Sequence, residues 1–173
     1  MIMTQSNDRM SKNDYYLSIA MQVLERSTCL RRQYGAVIVK DDEIVATGYN
    51  GSPRGMENCS DRGFCYRDLK NIPSGQGYED VHCSVHAEQN AIISAGRSRC
   101  IGATLYLVGY DSSKQESHGW IKEPAPCSIC MRMIINAGIS KLILGLPEEY
   151  KEIDVAAYVK SLQLEAKQDH GNF

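Results

Sequence analysis

His86-Ala87-Glu88-Gln89-Asn90-Ala91 is the stretch around which the chain is organised, and Pro126-Cys127-Ser128-Ile129-Cys130 is its counterpart further along. Together the two stretches supply one imidazole, two thiols and a carboxylate that need not bind metal. One imidazole and two thiolates form the ligand set of a catalytic zinc with an open coordination position. The pair of stretches therefore predicts a zinc site held by His86, Cys127 and Cys130.

Both stretches are predicted to open helices, over residues 84–95 and 127–138. His86 would then lie in the first turn of one helix, and Cys127 and Cys130 in the first turn of the other. The spacing of the two cysteines places both sulfurs on the same side of that turn. Because the start of a helix carries partial positive charge, it favours the thiolates that bind zinc.

Glu88 follows His86 by two positions, within reach of a water on such a metal. A carboxylate there can take the proton of the water and pass it to a substrate. The alternatives are a solvent-facing glutamate, a histidine that caps a helix and two buried thiols. A redox Cys-x-x-Cys needs a strand before it, and here a loop precedes the motif.

Composition narrows the class of protein. The 173 residues fit one domain, and a net charge of −2 leaves no basic excess for a nucleic-acid polymer. No apolar run reaches membrane-spanning length, and residues 1–14 lack the apolar core of a signal peptide. We therefore expect a cytoplasmic protein without membrane contact. Seven cysteines in a reducing compartment then indicate metal ligands or free thiols.

The order of predicted elements indicates one mixed sheet between helices. Residues 1–12 are predicted to form a flexible lead, 13–166 the catalytic domain and 167–173 a frayed tail. A first helix is expected from Asn13 or Asp14 to about Thr28. An antiparallel hairpin follows, and the later strands are expected to be parallel. The other predicted elements are strands at 35–40, 44–49, 104–108, 141–144 and 162–164, a helix at 152–161, and a long irregular loop at 56–82.

The sequence resembles the cytidine and deoxycytidylate deaminase superfamily, and within it the deoxycytidylate (dCMP) deaminase branch. Its zinc motif has the form H-x-E…P-C-x-x-C, the signature of zinc nucleobase deaminases. The Gly-Tyr-Asn-Gly and Ile-Asn-Ala-Gly-Ile stretches point to the dCMP branch. The resemblance covers about residues 15–146 and rests on Arg26-Ser27-Thr28-Cys29, Gly35-Ala36-Val37-Ile38-Val39, Gly48-Tyr49-Asn50-Gly51, His86-Ala87-Glu88-Gln89-Asn90-Ala91-Ile92, Pro126-Cys127-x-x-Cys130 and Ile134-Ile135-Asn136-Ala137-Gly138-Ile139.

This resemblance implies a three-layer α/β/α fold with a mixed five-stranded sheet, and hydrolysis of dCMP to dUMP and ammonia for thymidylate synthesis. Glu88 would protonate N3 of cytosine and then the leaving amine. Asn50 would hydrogen-bond the nucleoside, and the Ala87 backbone would face the ring.

Phosphate recognition and regulation are also implied by the resemblance. The substrate phosphate would need cations, for which Arg31, Arg32 and Arg54 are candidates, and solvated surface charges are the alternative. Family members are commonly homohexamers, activated by dCTP and inhibited by dTTP with Mg²⁺. The corresponding effector pocket would involve Gly48, Tyr49, Gly51 and Arg54.

A second, structural zinc is a further implication. Cys29 and Cys59 match ligand positions known in some members, which leaves Cys65, Cys83 and His82 to complete the site. An all-thiolate set of Cys29, Cys59, Cys65 and Cys83 would order residues 56–83. The alternative is buried free thiols, and Cys100 is expected in the core.

Residues 109–125 depart from the family pattern, which has only a few residues between the third strand and the Pro-Cys. Since this insertion leads directly into Pro126 and Cys127, we expect it to border the active site, with His118 and Trp120 as the side chains of interest. It could change the accepted base or sugar, or be a plain surface insertion. Other hypotheses are a deaminase of dCTP, modified dCMP or a riboflavin precursor, a tRNA-editing deaminase, and a catalytically silent nucleotide-binding homologue.

Overall fold

The computed structural model of the chain describes residues 9–73, 75–77, 83–113 and 118–170. Pairs of neighbouring strands are separated by helices along this length. In chain order they are α1 (Lys12–Leu24), β1 (Arg32–Lys40), β2 (Glu43–Tyr49), α2 (Cys59–Arg62), α3 (Tyr66–Leu69), α4 (Ala87–Ala95), α5 (Arg97–Cys100), β3 (Thr104–Asp111), β4 (Gly119–Trp120), α6 (Ser128–Ala137), β5 (Lys141–Leu146), β6 (Glu149–Asp154) and α7 (Val155–His170).

The strands form one mixed sheet with the order β2-β1-β3-β5-β6, and the short β4 pairs with β3. The hairpin of β1 and β2 is antiparallel, as predicted, and β3 and β5 are parallel. The pairs β1–β3 and β5–β6 are antiparallel, so the sheet is less parallel than the sequence indicated. The α/β fold with a mixed sheet flanked by helices is confirmed, and the described residues form six strands where five were expected.

Each face of the sheet is covered by helices because alternate strand residues point to opposite sides. On one face, Val37 and Val108 pack with Leu17 of α1. On the other face, Ile38 and Leu105 pack with Ile134 of α6 and the alanines of α4. This three-layer arrangement brings the starts of α4 and α6 to the same side of the sheet, where the predicted zinc ligands lie.

Helix α4 lies directly on the backbone of β2, and Gly48 makes this approach possible. A Cβ atom on Gly48 would lie 2.3 Å from the carbonyl oxygen of Ala87 and 2.4 Å from the amide nitrogen of Ala91. Real side chains do not tolerate such distances, so any other residue would lift the helix from the sheet. The close contact with β2 thereby fixes the position of α4, the helix that carries Glu88.

The C-terminal elements differ from the prediction. The helix expected at 152–161 is present as α7, but it begins later and runs further, from Val155 to His170. The strand expected at 162–164 is wrong, because these residues belong to α7, and residues 149–154 form an additional strand, β6. The strand is almost fully exposed and rich in charge, so its sequence lacks the apolar alternation of a strand. Backbone pairing with β5 fixes it, and Asp154 caps α7 by accepting from the amide of Ala157 at 2.8 Å.

The ends of the chain also differ in detail. Helix α1 begins at Lys12 and ends at Leu24, four residues short of the expected end, and Ser11 caps it rather than Asn13 or Asp14. Residues 1–8 of the predicted lead and 171–173 of the predicted tail lie outside the described residues, whereas 167–170 belong to α7. The division into lead, domain and tail stays a prediction. Within the described ranges, no helix has the length and apolar character needed to cross a bilayer.

Candidate metal centre and active site

The three predicted zinc ligands meet where two helices begin. His86 and Cys127 are the residues immediately before α4 and α6, one position earlier than the first turns expected, and Cys130 lies in the first turn of α6. Gln89 secures the start of α4 because its Oε1 accepts from the amide of His86 at 3.0 Å. The sulfur of Cys127 accepts from the amide of Cys130 at 3.5 Å, which draws the two thiols together.

The geometry of the three donor atoms fits a zinc ion. Nδ1 of His86 lies 3.5 Å from Sγ of Cys127 and 3.3 Å from Sγ of Cys130. Tetrahedral zinc with ordinary bond lengths separates a nitrogen and a sulfur ligand by about 3.6 Å. One imidazole and two thiols within 4.8 Å of one another, with one partly accessible side, are the protein donors of a catalytic rather than a closed structural site.

Glu88 is a buried carboxyl group beside these ligands, only 5% exposed. Burial raises the pKa of Glu88, while its own backbone amide and the Cys130 thiol oppose that shift. The same burial and the neighbouring Glu88 raise the pKa of Cys130. A bound cation would reverse this effect by favouring the thiolate.

His86 has the protonation state that a metal ligand needs. Burial lowers the pKa of His86, and the positive charge of Arg67 lowers it further. The imidazole is therefore neutral near pH 7, the form that coordinates metal.

The ligands and Glu88 line one cavity of about 470 Å³. Arg31, Arg32 and Asn50 also line it, so three of the predicted nucleotide-binding residues converge here. Ala87 is fully buried beneath it. The residues of the predicted effector site, which lie at the end of β2 and in the loop after it, are not in the cavity lining: Gly48 is packed under α4, Tyr49 and Arg54 are exposed, and Gly51 is buried in a bridge to Val85.

Asn50 is built into the wall of the cavity. Its Oδ1 accepts from Ser27 Oγ and from the Tyr34 amide, both at 2.7 Å. Its Nδ2 donates to the carbonyl of Arg32 at 2.8 Å. A primary amide has a second N–H, and this is the group that Asn50 can offer to a ligand.

Three arginines bring positive charge to the cavity. Arg31 donates to the carbonyl of Ile72 at 3.0 Å and pairs with Asp68 at 3.4 Å. Arg32 pairs with the buried Asp111 at 3.0 Å. Arg67 donates to the carbonyl of Pro73 at 2.7 Å. Two of the three arginines are thus paired with carboxylates.

The four cysteines of the predicted second site surround the same cavity. Cys59, Cys65 and Cys83 are buried and Cys29 is half-buried. Burial raises the pKa of both Cys29 and Cys83. The charges of the other three cysteines also act on Cys83, and those of Cys59 and Cys65 act on Cys29. In the described part of the chain, only His86, Cys127 and Cys130 bring three donor atoms within 4.8 Å, and His82 lies outside that part. Cys100 is in the core, as expected.

The insertion reaches the cavity through its ends. Ala125 lines the cavity, and Asp111 holds Arg32 there. The two side chains of interest lie elsewhere: His118 Nε2 is 3.1 Å from the Tyr110 hydroxyl, and the Trp120 ring packs edge-on against Tyr110. Residues 114–117 of the insertion are outside the described ranges.

Tyr34 and Arg67 are among the cavity residues that were not identified from the sequence. The alternation of side chains between the two faces of β1 could have identified Tyr34, because Tyr34 shares a sheet face with Ala36 and Ile38. No local signal marks Arg67, which reaches the cavity only through the path of the loop that carries α3.

Comparison with known proteins assigns the family. The profile described as "Cytidine and deoxycytidylate deaminase zinc-binding region" matches residues 10–146. The chain therefore belongs to the cytidine and deoxycytidylate deaminase zinc-binding family.

Several relatives in this family are named deoxycytidylate deaminase. The one from Mycobacterium phage D29 is 36% identical over 135 residues, which cover 76% of this chain and 91% of the phage protein. The Saccharomyces cerevisiae protein of that name is 35% identical over 78% of this chain, but the match spans only 38% of its own length. Among solved structures, the apo dCMP deaminase from cyanophage S-TIM5 is 27% identical, with a TM-score of 0.51, covering 77% of this chain and 82% of that one.

Proposed function

We propose that this protein is a zinc-dependent hydrolase that converts dCMP to dUMP and ammonia, and so supplies dUMP for thymidylate synthesis. The observation that carries the proposal is the buried carboxyl group of Glu88 beside an imidazole and two thiols in one cavity. Membership of the deaminase family and the similarity to the phage D29 deoxycytidylate deaminase support the same reaction.

The reaction is a substitution at C4 of cytosine without a redox change. A C–O bond to water forms, the C–N bond to the amine breaks, and of the two protons of the water one goes to N3 and the other to the departing ammonia. When zinc is bound by His86, Cys127 and Cys130, it supplies Lewis-acid activation of the water. Glu88 carries both protons: it takes the first from the water and passes it to N3, then takes the second from the hydroxyl group added at C4 and delivers it to the leaving amine.

Other cavity residues hold the nucleotide in this proposal. The remaining N–H of Asn50 donates to the nucleoside, and the backbone of Ala87 faces the ring. Arg31, only 19% exposed and lining the cavity, binds the phosphate as a bidentate donor. Arg54 is exposed and outside the lining, so its proposed role shifts from the substrate to an effector.

The experiment that tests this function is a substrate panel with the purified protein. We expect dCMP to have the highest kcat/KM, with dCTP, a 5-modified dCMP, a riboflavin precursor and tRNA lower or inactive. If another member of the panel had the highest kcat/KM, the protein would still be a deaminase, but that compound rather than dCMP would be its substrate. Binding of dCMP without turnover of any member would instead favour the silent nucleotide-binding homologue.

We also propose a second, structural zinc held by Cys29, Cys59, Cys65 and Cys83. Support comes from their position around one cavity and from the burial of three of the four thiols. Replacing Cys59 by serine should lower the zinc content from two ions per chain to one, because a tetrahedral thiolate site loses a ligand. Elemental analysis measures this, together with a fall in the melting temperature as residues 56–83 lose their cross-link.

Cys100→Ala is the matched control for this variant, since Cys100 is equally buried but belongs to the core. It should retain both zinc ions. A wild-type content of one zinc per chain, unchanged by Cys59→Ser, would contradict the second site and leave the catalytic one intact.

Regulation and assembly complete the proposal. The loop with Gly48, Tyr49, Gly51 and Arg54 would take dCTP or dTTP with Mg²⁺, and the protein would act as a cytoplasmic homohexamer without nucleic acid or membrane partners. The exposed side chains of Tyr49 and Arg54 support an effector contact.

A further inference from the structure

Tyr34 is a cavity residue to which the proposed reaction gives no role. It lies on β1 and shares its sheet face with Ala36 and Ile38, which form the core beneath α4. Its side chain is half-buried and lines the cavity together with His86 and Glu88. The phenol is therefore on the same side of the sheet as the metal centre.

The main chain of Tyr34 is held by Asn50. The Tyr34 amide donates to Oδ1 of Asn50 at 2.7 Å, and its carbonyl accepts from the Asn50 amide at 3.4 Å. Asn50 is itself buried and bonded to Ser27. These hydrogen bonds fix the backbone of Tyr34 in the cavity wall.

The ring of Tyr34 is held by the insertion of residues 109–125. A Cβ atom on Gly109 would lie 2.7 Å from Cε1 and 3.0 Å from Cδ1 of this ring, so the glycine leaves the space that the ring fills. The same hypothetical Cβ atom on Gly109 would lie 3.1 Å from Cδ1 of Ile121. Ring and insertion therefore fit each other, and a phenylalanine ring would satisfy this packing equally well.

The hydroxyl, by contrast, has charged groups around it. It interacts with the guanidinium of Arg32, and the charge of Glu88 also acts on it. Asp111, which is 2% exposed, holds Arg32 through a 3.0 Å ion pair. Burial raises the pKa of Tyr34, so the phenol is neutral near pH 7 and can both donate and accept a hydrogen bond.

We propose that Tyr34 is a substrate-contact residue whose hydroxyl hydrogen-bonds the polar edge of the pyrimidine ring on which Glu88 acts. This inference rests on the proposed deaminase function. The contact is to the base rather than the phosphate, because Tyr34 lines the same cavity as His86 and Glu88, the end of the cavity where the pyrimidine ring must lie for the reaction. The insertion then has a function: Gly109 and Ile121 orient the ring, and Asp111 positions the phenol through Arg32.

The test compares Tyr34→Phe with Tyr110→Phe, a tyrosine on β3 whose hydroxyl bonds His118 instead. Loss of one neutral hydrogen bond should lower kcat/KM for dCMP about tenfold in Tyr34→Phe and leave Tyr110→Phe unchanged. The inhibition constant of dUMP should rise about as much, while that of deoxyribose 5-phosphate, which has no base, stays constant. Asp111→Asn should show the same base-dependent pattern to a smaller degree.

Three results would count against the role of Tyr34 or against the proposed function. Wild-type values for Tyr34→Phe on dCMP and dUMP would reduce Tyr34 to a packing residue and overturn the inference. Equal weakening of dUMP and deoxyribose 5-phosphate would also overturn it, because the contact would then be to the sugar phosphate. Absence of dCMP turnover by the wild-type protein would instead remove the proposed function itself, so the two failures are distinguishable.

Discussion

Replacing Glu88 by glutamine is expected to lower kcat for dCMP by about a thousandfold or more while zinc stays bound. Glutamine keeps the size of the side chain but cannot carry a proton, and a positioned acid–base group contributes about 10²–10⁴-fold to the rate. Because Glu88 is buried beside the metal ligands but is not one of them, the zinc content and the melting temperature should change little. Steady-state kinetics and elemental analysis of the same preparation measure both quantities.

Glu165→Gln provides the control for this variant. Glu165 is an exposed glutamate on α7, so the same chemical change there should leave kcat unaltered. If Glu88→Gln retained kcat within about tenfold of the wild type, the proton-transfer role of Glu88 would be wrong.

Replacing Cys127 by serine is expected to remove both the catalytic zinc and the activity. The Cys127 sulfur lies 3.5 Å from Nδ1 of His86, and a neutral hydroxyl in its place cannot supply the charge of a thiolate. Loss of outer hydrogen bonds to metal ligands already costs about 10–100-fold in affinity, so loss of a ligand should cost more than about 100-fold. A zinc titration monitored by dCMP turnover measures the change.

The control here is Cys100→Ala, which removes a thiol that is buried in the core rather than at the metal centre. It should bind zinc with wild-type affinity and retain kcat. Wild-type zinc affinity in Cys127→Ser would show that the ion is held by a different set of residues.

The fold was predictable where the sequence has strong local patterns. The buried run at 36–39, the polar turn after it and the returning strand to Tyr49 predict the hairpin that β1 and β2 form. The end of the chain lacks such a pattern, because β6 is exposed and charged and owes its existence to pairing with β5. Strand order is also a tertiary property: β1 lies antiparallel to β3, which no local motif indicates.

The candidate metal centre was predictable for the same reason, since both of its motifs lie at helix starts and helix starts have local signals. The residues of the cavity wall could not be predicted in this way. Arg67 reaches the cavity from the long loop, and the role inferred for Tyr34 depends on Gly109 and Asp111, which are distant from it in sequence. Asn50 was identified by resemblance, yet its hydrogen bonds to Tyr34 and Arg32 emerge only when β1 and the loop after β2 come together.

Conversion of dCMP by the zinc-loaded protein is the most direct test of the proposed function. The protein should form dUMP and ammonia in equal amounts, lose this activity when a chelator removes the zinc, and regain it when zinc is added back. A folded protein that holds zinc at His86, Cys127 and Cys130, binds dCMP and releases neither dUMP nor ammonia would contradict the proposal.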